Sequence, residues 1–198
     1  VTLVVLLTAV HCLSHSTSSK VQQIFTVLKV LLILLFCLVL LVWGNAPQSI
    51  NLMPQAGDET LLFGGAFAVS LIYVNYAYTE WNAVTYVTSE LENPQRNLPI
   101  VLLVGTCTVM VLYLLLTFTF LSSAPINILE GKLEIGVIAA EHALGGNAGK
   151  IMGGVLALLL ISTVSAMTMA GPRVLQVIGQ DFRLFSKLSH VNISGIPT

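Results

Sequence analysis

An apolar run from residue 21 to residue 43 contains a single charged residue, Lys29. About 20 apolar residues in a helix span the roughly 30 Å hydrocarbon core of a bilayer. The whole chain is 56% hydrophobic and 9% charged, whereas soluble domains carry about 25% charged residues. These features predict an all-α integral membrane protein, in which several helices cross the bilayer and pack as a bundle.

Five segments have the composition of membrane spans. The first has about half the required length, so we interpret it as the tail of a truncated helix. The chain also opens inside an apolar run without an initiator Met, which favours a fragment of a larger transporter-like protein. The predicted partial transmembrane domain covers residues 1–198, with spans at about 1–10, 21–43, 61–89, 100–121 and 150–180.

Basic residues are concentrated in alternate connectors between these spans. The positive-inside rule assigns the more basic connectors to the cytoplasm. It therefore predicts that residues 11–20, residues 90–99 and the C-terminal tail are cytoplasmic in a multi-pass protein of the cell membrane. The basic residues on the cytoplasmic side are Lys20, Arg96, Arg173, Arg183 and Lys187, against Lys132 and Lys150 on the other side.

The third span is unusually polar. Glu80 lies at its centre, and a carboxylate at that depth is expensive unless it faces protein, water or a cation, so it indicates a functional site. Residues 76–81 combine weak helix formers with polarity and are predicted to depart from α-helix; a continuous helix with a polar stripe is the alternative. The polar and aromatic residues that stand out in this span are Tyr73, Asn75, Tyr76, Tyr78, Thr79, Glu80, Trp81, Asn82 and Tyr86.

The last span becomes polar in its second half, with Ser162, Thr163, Ser165 and Thr168. Hydroxyl side chains of this kind join helices in membranes, and they also line mid-membrane sites in transporters with broken helices. Because two spans of one chain concentrate polar groups near mid-depth, the pattern favours a transporter. Lys29 in the second span either reaches the interface or faces the bundle interior.

The connectors carry further expectations. A short helix is predicted over residues 134–144, and Gly149, Gly153 and Gly154 are interpreted as positions of close helix packing. The four histidines are expected to be solvated. The three cysteines have neither disulfide nor metal-site spacing and are interpreted as apolar fillers. These residues are His11, His15, His142, His190, Cys12, Cys37 and Cys107.

Several motifs resemble the amino acid–polyamine–organocation superfamily, and most closely its L-type amino acid transporter branch. The pattern Glu90-x-x-Asn93-Pro94-x-Arg96-Asn97-x-Pro99, with Phe63-Gly-Gly-Ala, Ala77-Tyr78 and Trp81-Asn82, resembles the family's sixth transmembrane helix. The residues around Lys29 resemble the start of its fifth helix, and those from Ser165 to Asp181 the end of its eighth. The resemblance implies the end of helix 4 through helix 8 of a twelve-helix protein with the LeuT-type inverted repeat.

The resemblance also implies roles for individual residues. Tyr76 falls at an aromatic gate over the bound amino acid, and Ala77, Tyr78, Thr79, Glu80 and Trp81 in or beside an unwound segment that meets the substrate's amino group. Lys29 falls where many members keep a lysine that stands in for a sodium ion, with Ser162, Thr163 and Ser165 beside it. At Thr79-Glu80 the branch usually has small residues, so we hypothesise that Glu80 favours basic or amine-bearing substrates.

We interpret the chain as an amino acid transporter working by alternating access, with proton coupling or exchange as its energy source. It is not expected to be an enzyme, to use a cofactor or a metal, or to bind nucleic acid. The expected partners are the amino acid substrate, the lipid bilayer and the remaining transporter helices, with an accessory subunit left open. The alternative is a non-transporting membrane module, such as an anchor or a channel subunit.

Overall fold

The computed structural model describes residues 2–13, 15–45, 47–51, 53, 55–79, 84–85, 88 and 91–191. Within these residues the chain consists of helices and connecting loops, which confirms the all-α prediction. The helices are α1 (Thr2–Leu13), α2 (His15–Trp43), α3 (Asp58–Leu62), α4 (Gly65–Ala77), α5 (Pro94–Ser123), α6 (Ile126–Leu129), α7 (Ile135–Leu144) and α8 (Ala148–Asp181), followed by a 3₁₀ helix, Arg183–Ser189.

Three of the described helices, α2, α5 and α8, are long and apolar enough to cross a membrane. Helices α1, α4 and α7 are apolar but shorter. Large apolar side chains on α2 are more than half exposed within the described chain: Leu31 by 57%, Leu35 by 55% and Leu38 by 54%. Such a surface is stable in contact with lipid or other apolar helices, as expected for a multi-pass membrane protein.

The chain divides into two compact units, residues 49–113 and the remainder. In the larger unit, α1, α2 and α8 pack on one another, and α7 packs on α2 and α8. A small apolar core joins Leu40 of α2 to Ala139 and Ala143 of α7, with Phe36 and Phe120 beside it. The ring centroids of Phe36 on α2 and Phe120 on α5 lie 5.9 Å apart, so this core also includes α5.

Helix α7 confirms the short helix predicted over residues 134–144. Its buried residues are all small, namely Gly136, Ala139, Ala140 and Ala143, and small side chains let helix backbones approach closely. The loop after α2 is tied to the same region by backbone hydrogen bonds. Asn45 N donates to Ala143 O over 2.9 Å, and Gln48 N donates to Ser122 O over 2.7 Å.

The three glycines proposed for close packing behave differently. Gly149 is buried, and a Cβ added there would lie 2.2 Å from the carboxylate of Glu141, so α7 and α8 approach closely at this point. At Gly153 and Gly154 an added Cβ would meet no atom of the described residues within 4 Å. The packing interpretation is therefore confirmed for Gly149 alone within the described chain.

Helix α5 begins at Pro94, inside the connector predicted for residues 90–99. Asn93 adopts a left-handed conformation, with φ of 48°, and its carbonyl accepts the amides of Arg96 and Asn97, each at 3.0 Å. Proline fits the first helical position because its missing N–H would be unpaired there. Asn93-Pro94 therefore starts the helix, six residues before the span predicted at 100–121.

The third predicted span, residues 61–89, is not one continuous α-helix. Helix α4 has 13 residues and ends at Ala77, whereas about 20 are needed to cross a bilayer. Before it, Gly64 is extended, with φ of −82° and ψ of 154°, and separates α4 from α3. The predicted connector at residues 11–20 is also largely helical, because α1 continues to Leu13 and α2 begins at His15.

Candidate substrate and ion-coupling sites

Lys29 on α2 points toward α8. Its Nζ donates a hydrogen bond to Thr163 Oγ1 over 3.3 Å, and its side chain is half-buried. Thr163 Oγ1 in turn donates to the backbone oxygen of Leu159, at 3.2 Å. Of the two orientations that the sequence left open for Lys29, the structure shows the one facing the neighbouring helix.

Two further hydroxyls predicted for this site are buried on α8. Ser162 is 3% exposed and Ser165 is 0% exposed. Ser162 Oγ has no hydrogen-bond partner among the described residues, whereas Ser165 Oγ donates to Gln22 Oε1 on α2 over 3.3 Å. A buried hydroxyl without a partner is uncommon and costs free energy, so Ser162, next to Thr163 in the sequence, offers an oxygen that is unused within the described residues.

His11 is buried, so the prediction that it is solvated is wrong. It is 5% exposed, with Nδ1 2.7 Å from Ser18 Oγ and Nε2 2.9 Å from Ser165 Oγ. The ring is buried because tertiary contacts supply its hydrogen bonds: hydroxyls of α2 and α8 satisfy both ring nitrogens in place of water. His142 and His190 are exposed, and Nδ1 of each ring donates a hydrogen bond over 3.0 Å to a backbone oxygen, that of Ser123 and that of Lys187 respectively.

The smaller unit contains the described part of the predicted substrate segment. Tyr76 and Ala77 form the end of α4, Tyr78 has non-helical angles of −104° and 2°, and Thr79 continues as a 3₁₀ turn. Thr79 Oγ1 donates to Tyr76 O over 2.8 Å. The departure from α-helix predicted over residues 76–81 is thus confirmed at Tyr78 and Thr79 and is wrong for Tyr76 and Ala77, which are helical, while Glu80 and Trp81 lie outside the described residues.

Tyr113 of α5 contacts the C-terminal end of α4 in two ways. Its ring meets the Tyr78 ring edge to face, with centroids 5.4 Å apart, and its hydroxyl donates to Ala77 O over 3.5 Å. Tyr76 is 77% exposed. Carbonyls in the last turn of a helix lack intrahelical partners and carry partial negative charge, so this end of α4 can attract an ammonium group.

The sequence prediction missed several residues that contact the predicted ones. Tyr113 was overlooked inside an apolar span, although an isolated Tyr in such a run places a polar group that needs a partner. Gln22 lies in a family-like motif but was given no role. Ser18 and His11 were assigned to a solvated connector, and no pattern in that connector distinguishes buried from exposed hydroxyls.

The long apolar helices, the helix that ends at Ala77 and the lysine facing a hydroxyl on a neighbouring span are features of a multi-pass membrane protein of transporter type. The profile of the amino acid permease family matches residues 1–198. The chain therefore belongs to the amino acid permease family.

Individual relatives are transporters. The chain is 29% identical over 194 residues to the b(0,+)-type amino acid transporter 1 of Rattus norvegicus, covering 95% of this chain and 38% of that protein. The Homo sapiens transporter of the same name is 29% identical over 195 residues, covering 96% and 39%. The large neutral amino acids transporter small subunit 2 of Homo sapiens is 28% identical over 142 residues, covering 71% and 26%. The chain thus spans less than half the length of these relatives.

Proposed function

We propose that residues 1–198 form part of a secondary active transporter that carries amino acids across the cell membrane by alternating access. The observation that carries the proposal is the contact from Lys29 Nζ to Thr163 Oγ1, in a chain whose whole length matches the amino acid permease family. A cation held by hydroxyls between two spans can exchange its proton or its partner when the helices move, which is what coupling requires.

The proposal assigns two sites. Lys29, Ser162, Thr163 and Ser165 form the ion-coupling site, and residues 76–81 form the substrate-binding segment. The negative end of α4 attracts the α-ammonium group of the amino acid. Its carbonyls already accept from Tyr78 N, Thr79 Oγ1 and the Tyr113 hydroxyl, and each can accept a further hydrogen bond through its second lone pair. Amino acids have a cationic amino group, so the chemistry of this helix end fits the substrate class named for the relatives.

The membrane arrangement is part of the same proposal. With α2, α5 and α8 as membrane spans and α1 and α4 as shorter apolar helices, the basic residues assign residues 11–20, residues 90–99 and the tail to the cytoplasmic side of the membrane. The exposed apolar faces of α2 and α8 contact lipid and further transporter helices. The protein acts by binding and movement, not by covalent chemistry.

The experiment is uptake of radiolabelled amino acids into proteoliposomes that contain a complete transporter with this segment, with and without an imposed pH gradient. We expect uptake above that of protein-free liposomes and its stimulation by the gradient or by a counter-substrate inside. A protein that inserts and folds but moves no amino acid under either condition would support the non-transporting membrane module instead.

A further inference from the structure

His11 connects three helices through buried hydrogen bonds. From α1 its imidazole reaches Ser18 on α2 at 2.7 Å and Ser165 on α8 at 2.9 Å. Ser165 also contacts Gln22 on α2 at 3.3 Å. The exposed fractions of His11, Ser18 and Ser165 are 5%, 2% and 0%, so water does not compete for these bonds.

Counting hydrogens determines the tautomer of this imidazole. Ser165 has one hydroxyl hydrogen and donates it to Gln22 Oε1, so its oxygen must accept from His11 Nε2–H. In a neutral ring the other nitrogen is then an acceptor, so Ser18 donates to His11 Nδ1. The four groups form one directional chain, Ser18 to His11 to Ser165 to Gln22.

The same two helices, α2 and α8, meet again at Lys29 and Thr163. Gln22 and Lys29 are seven positions apart, which is about two helical turns and roughly 10 Å along the axis. Both lie on the side of α2 that faces α8, as their contacts with Ser165 and Thr163 show. Because a helix is stiff over two turns, the Gln22–Ser165 contact sets where α2 places Lys29 against α8, and the long Lys29 side chain then reaches Thr163, two positions from Ser165.

We propose that His11 is a positioning residue for the coupling site: its neutral Nε2–H form holds α2 and α8 in the register at which Thr163 meets Lys29. The inference rests on the proposed function for its transport consequence, since it assigns Lys29 a role in coupling. Its structural content, the link from His11 to the environment of Lys29, does not depend on transport.

The charge around His11 favours the neutral form. Burial lowers the pKa of His11 from its ordinary 6.5, and the Arg173 guanidinium on α8 lowers the pKa further. The contacting groups of α2, Ser18 and Gln22, are uncharged, and Lys20 on that helix is exposed. Protonation would place a second cation near Arg173 and would force Ser18 to accept instead of donate.

The direction of the pH effect follows from the lowered pKa. Above about pH 6.5 an unfolded or released His11 is also neutral, so the stabilisation is complete there. As pH falls below 6.5, the released form takes up a proton before the buried form does, and the network loses stability. Transport should therefore decline on the acid side as the network opens.

The test combines nuclear magnetic resonance and transport on the complete transporter. In protein labelled with ¹⁵N-histidine and ¹⁵N-lysine, at pH 7.5, we expect the His11 ring to carry its proton on Nε2. His11→Phe removes both hydrogen bonds and should shift the ¹⁵Nζ resonance of Lys29, with transport reduced about tenfold, since two neutral hydrogen bonds are lost. His11→Gln keeps a donor toward Ser165 and should retain transport at neutral pH. Because glutamine does not titrate, the decline of transport at acidic pH should become shallower. His190→Phe is the matched control and should change neither signal.

The contrary results distinguish the positioning role of His11 from the proposed transport function. An Nδ1–H tautomer, or a Lys29 resonance unchanged in His11→Phe, overturns the positioning role even if transport is normal. If His11→Phe does not fold, His11→Gln decides: a decline of transport at acidic pH identical to that of the unmodified protein overturns the positioning role. If the unmodified protein moves no amino acid, the proposed function fails, while the tautomer and the Lys29 resonance still decide the role of His11.

Discussion

The ring of Tyr113 packs edge to face on the ring of Tyr78, with their planes inclined by 84°, at the point where α4 ends. Aromatic pairs of this geometry contribute about 0.5–1.5 kcal/mol beyond the area that they bury. The Tyr113 hydroxyl also caps Ala77 O, at 3.5 Å. One side chain of α5 therefore holds both the backbone and the side chain of the segment proposed to bind substrate.

We predict that Tyr113→Phe and Tyr113→Ala differ in their effect on amino acid uptake. Phenylalanine keeps the ring contact and loses a long hydrogen bond, so uptake should fall by less than about threefold. Alanine loses the ring pair as well and should reduce uptake by about tenfold. The measurement is initial uptake rate at matched expression in proteoliposomes. Equal rates for the two variants would show that the ring contact does not support the site.

Lys29→Met should abolish the dependence of uptake on an imposed pH gradient. A hydrogen bond to a charged group is worth about 1.5–3 kcal/mol, which corresponds to roughly a 10- to 100-fold loss of coupled uptake. Lys150→Met is the matched control, because Lys150 is exposed on α8, and its gradient dependence should be unchanged. Gradient-driven uptake that survives in Lys29→Met at the normal rate would remove Lys29 from coupling.

Glu80→Gln should lower uptake of cationic amino acids selectively. The variant preserves size and most hydrogen bonding and removes the charge, so a carboxylate facing a substrate cation loses its attraction while neutral substrates are spared. We expect a relative loss of at least about tenfold, or ~1.4 kcal/mol. Competition assays with cationic and neutral amino acids provide the measurement. Equal losses for both classes would exclude selection by charge at this position.

Gly44→Ala should destabilise the end of α2, where it packs against α7. A Cβ at Gly44 would lie 2.4 Å from the backbone oxygen of Leu40, and backbone atoms cannot move aside as a flexible side chain does, so we expect a cost of about 1–3 kcal/mol. Gly153→Ala is the control, since its added Cβ meets nothing within 4 Å among the described residues. Thermal unfolding in detergent compares the two, and a Gly44→Ala midpoint equal to that of Gly153→Ala would contradict the clash.

Local patterns predicted much of this architecture. A charge among apolar residues singled out Lys29 as a site residue, although its orientation stayed open, and α7 followed from the spacing of Ile135, Ile138 and Ala139. Both depend on sequence within a few turns. The end of α4 near Tyr78 was predicted from polarity and from family resemblance together.

Other features depend on residues far apart in sequence. The burial of His11 depends on Ser165, 154 positions away, and no local pattern in residues 11–20 reports that contact. The start of α5 at Pro94 was missed for a different reason: proline both ends helices and begins them. The conformation of Asn93, with φ of 48°, shows that Pro94 begins a helix and does not end one.

The hydrogen bond from Asn45 N to Ala143 O also has a consequence for biosynthesis. At about 5–20 residues per second, the ribosome adds Ala143 roughly 5–20 s after Asn45. During that interval the amide that follows α2 lacks its acceptor, and Leu40 lacks the alanines that cover it in the finished protein. A ribosome stalled between these two residues would therefore hold an α2 whose end is still open to proteases and chaperones, and protection of that end would mark the moment at which α7 docks.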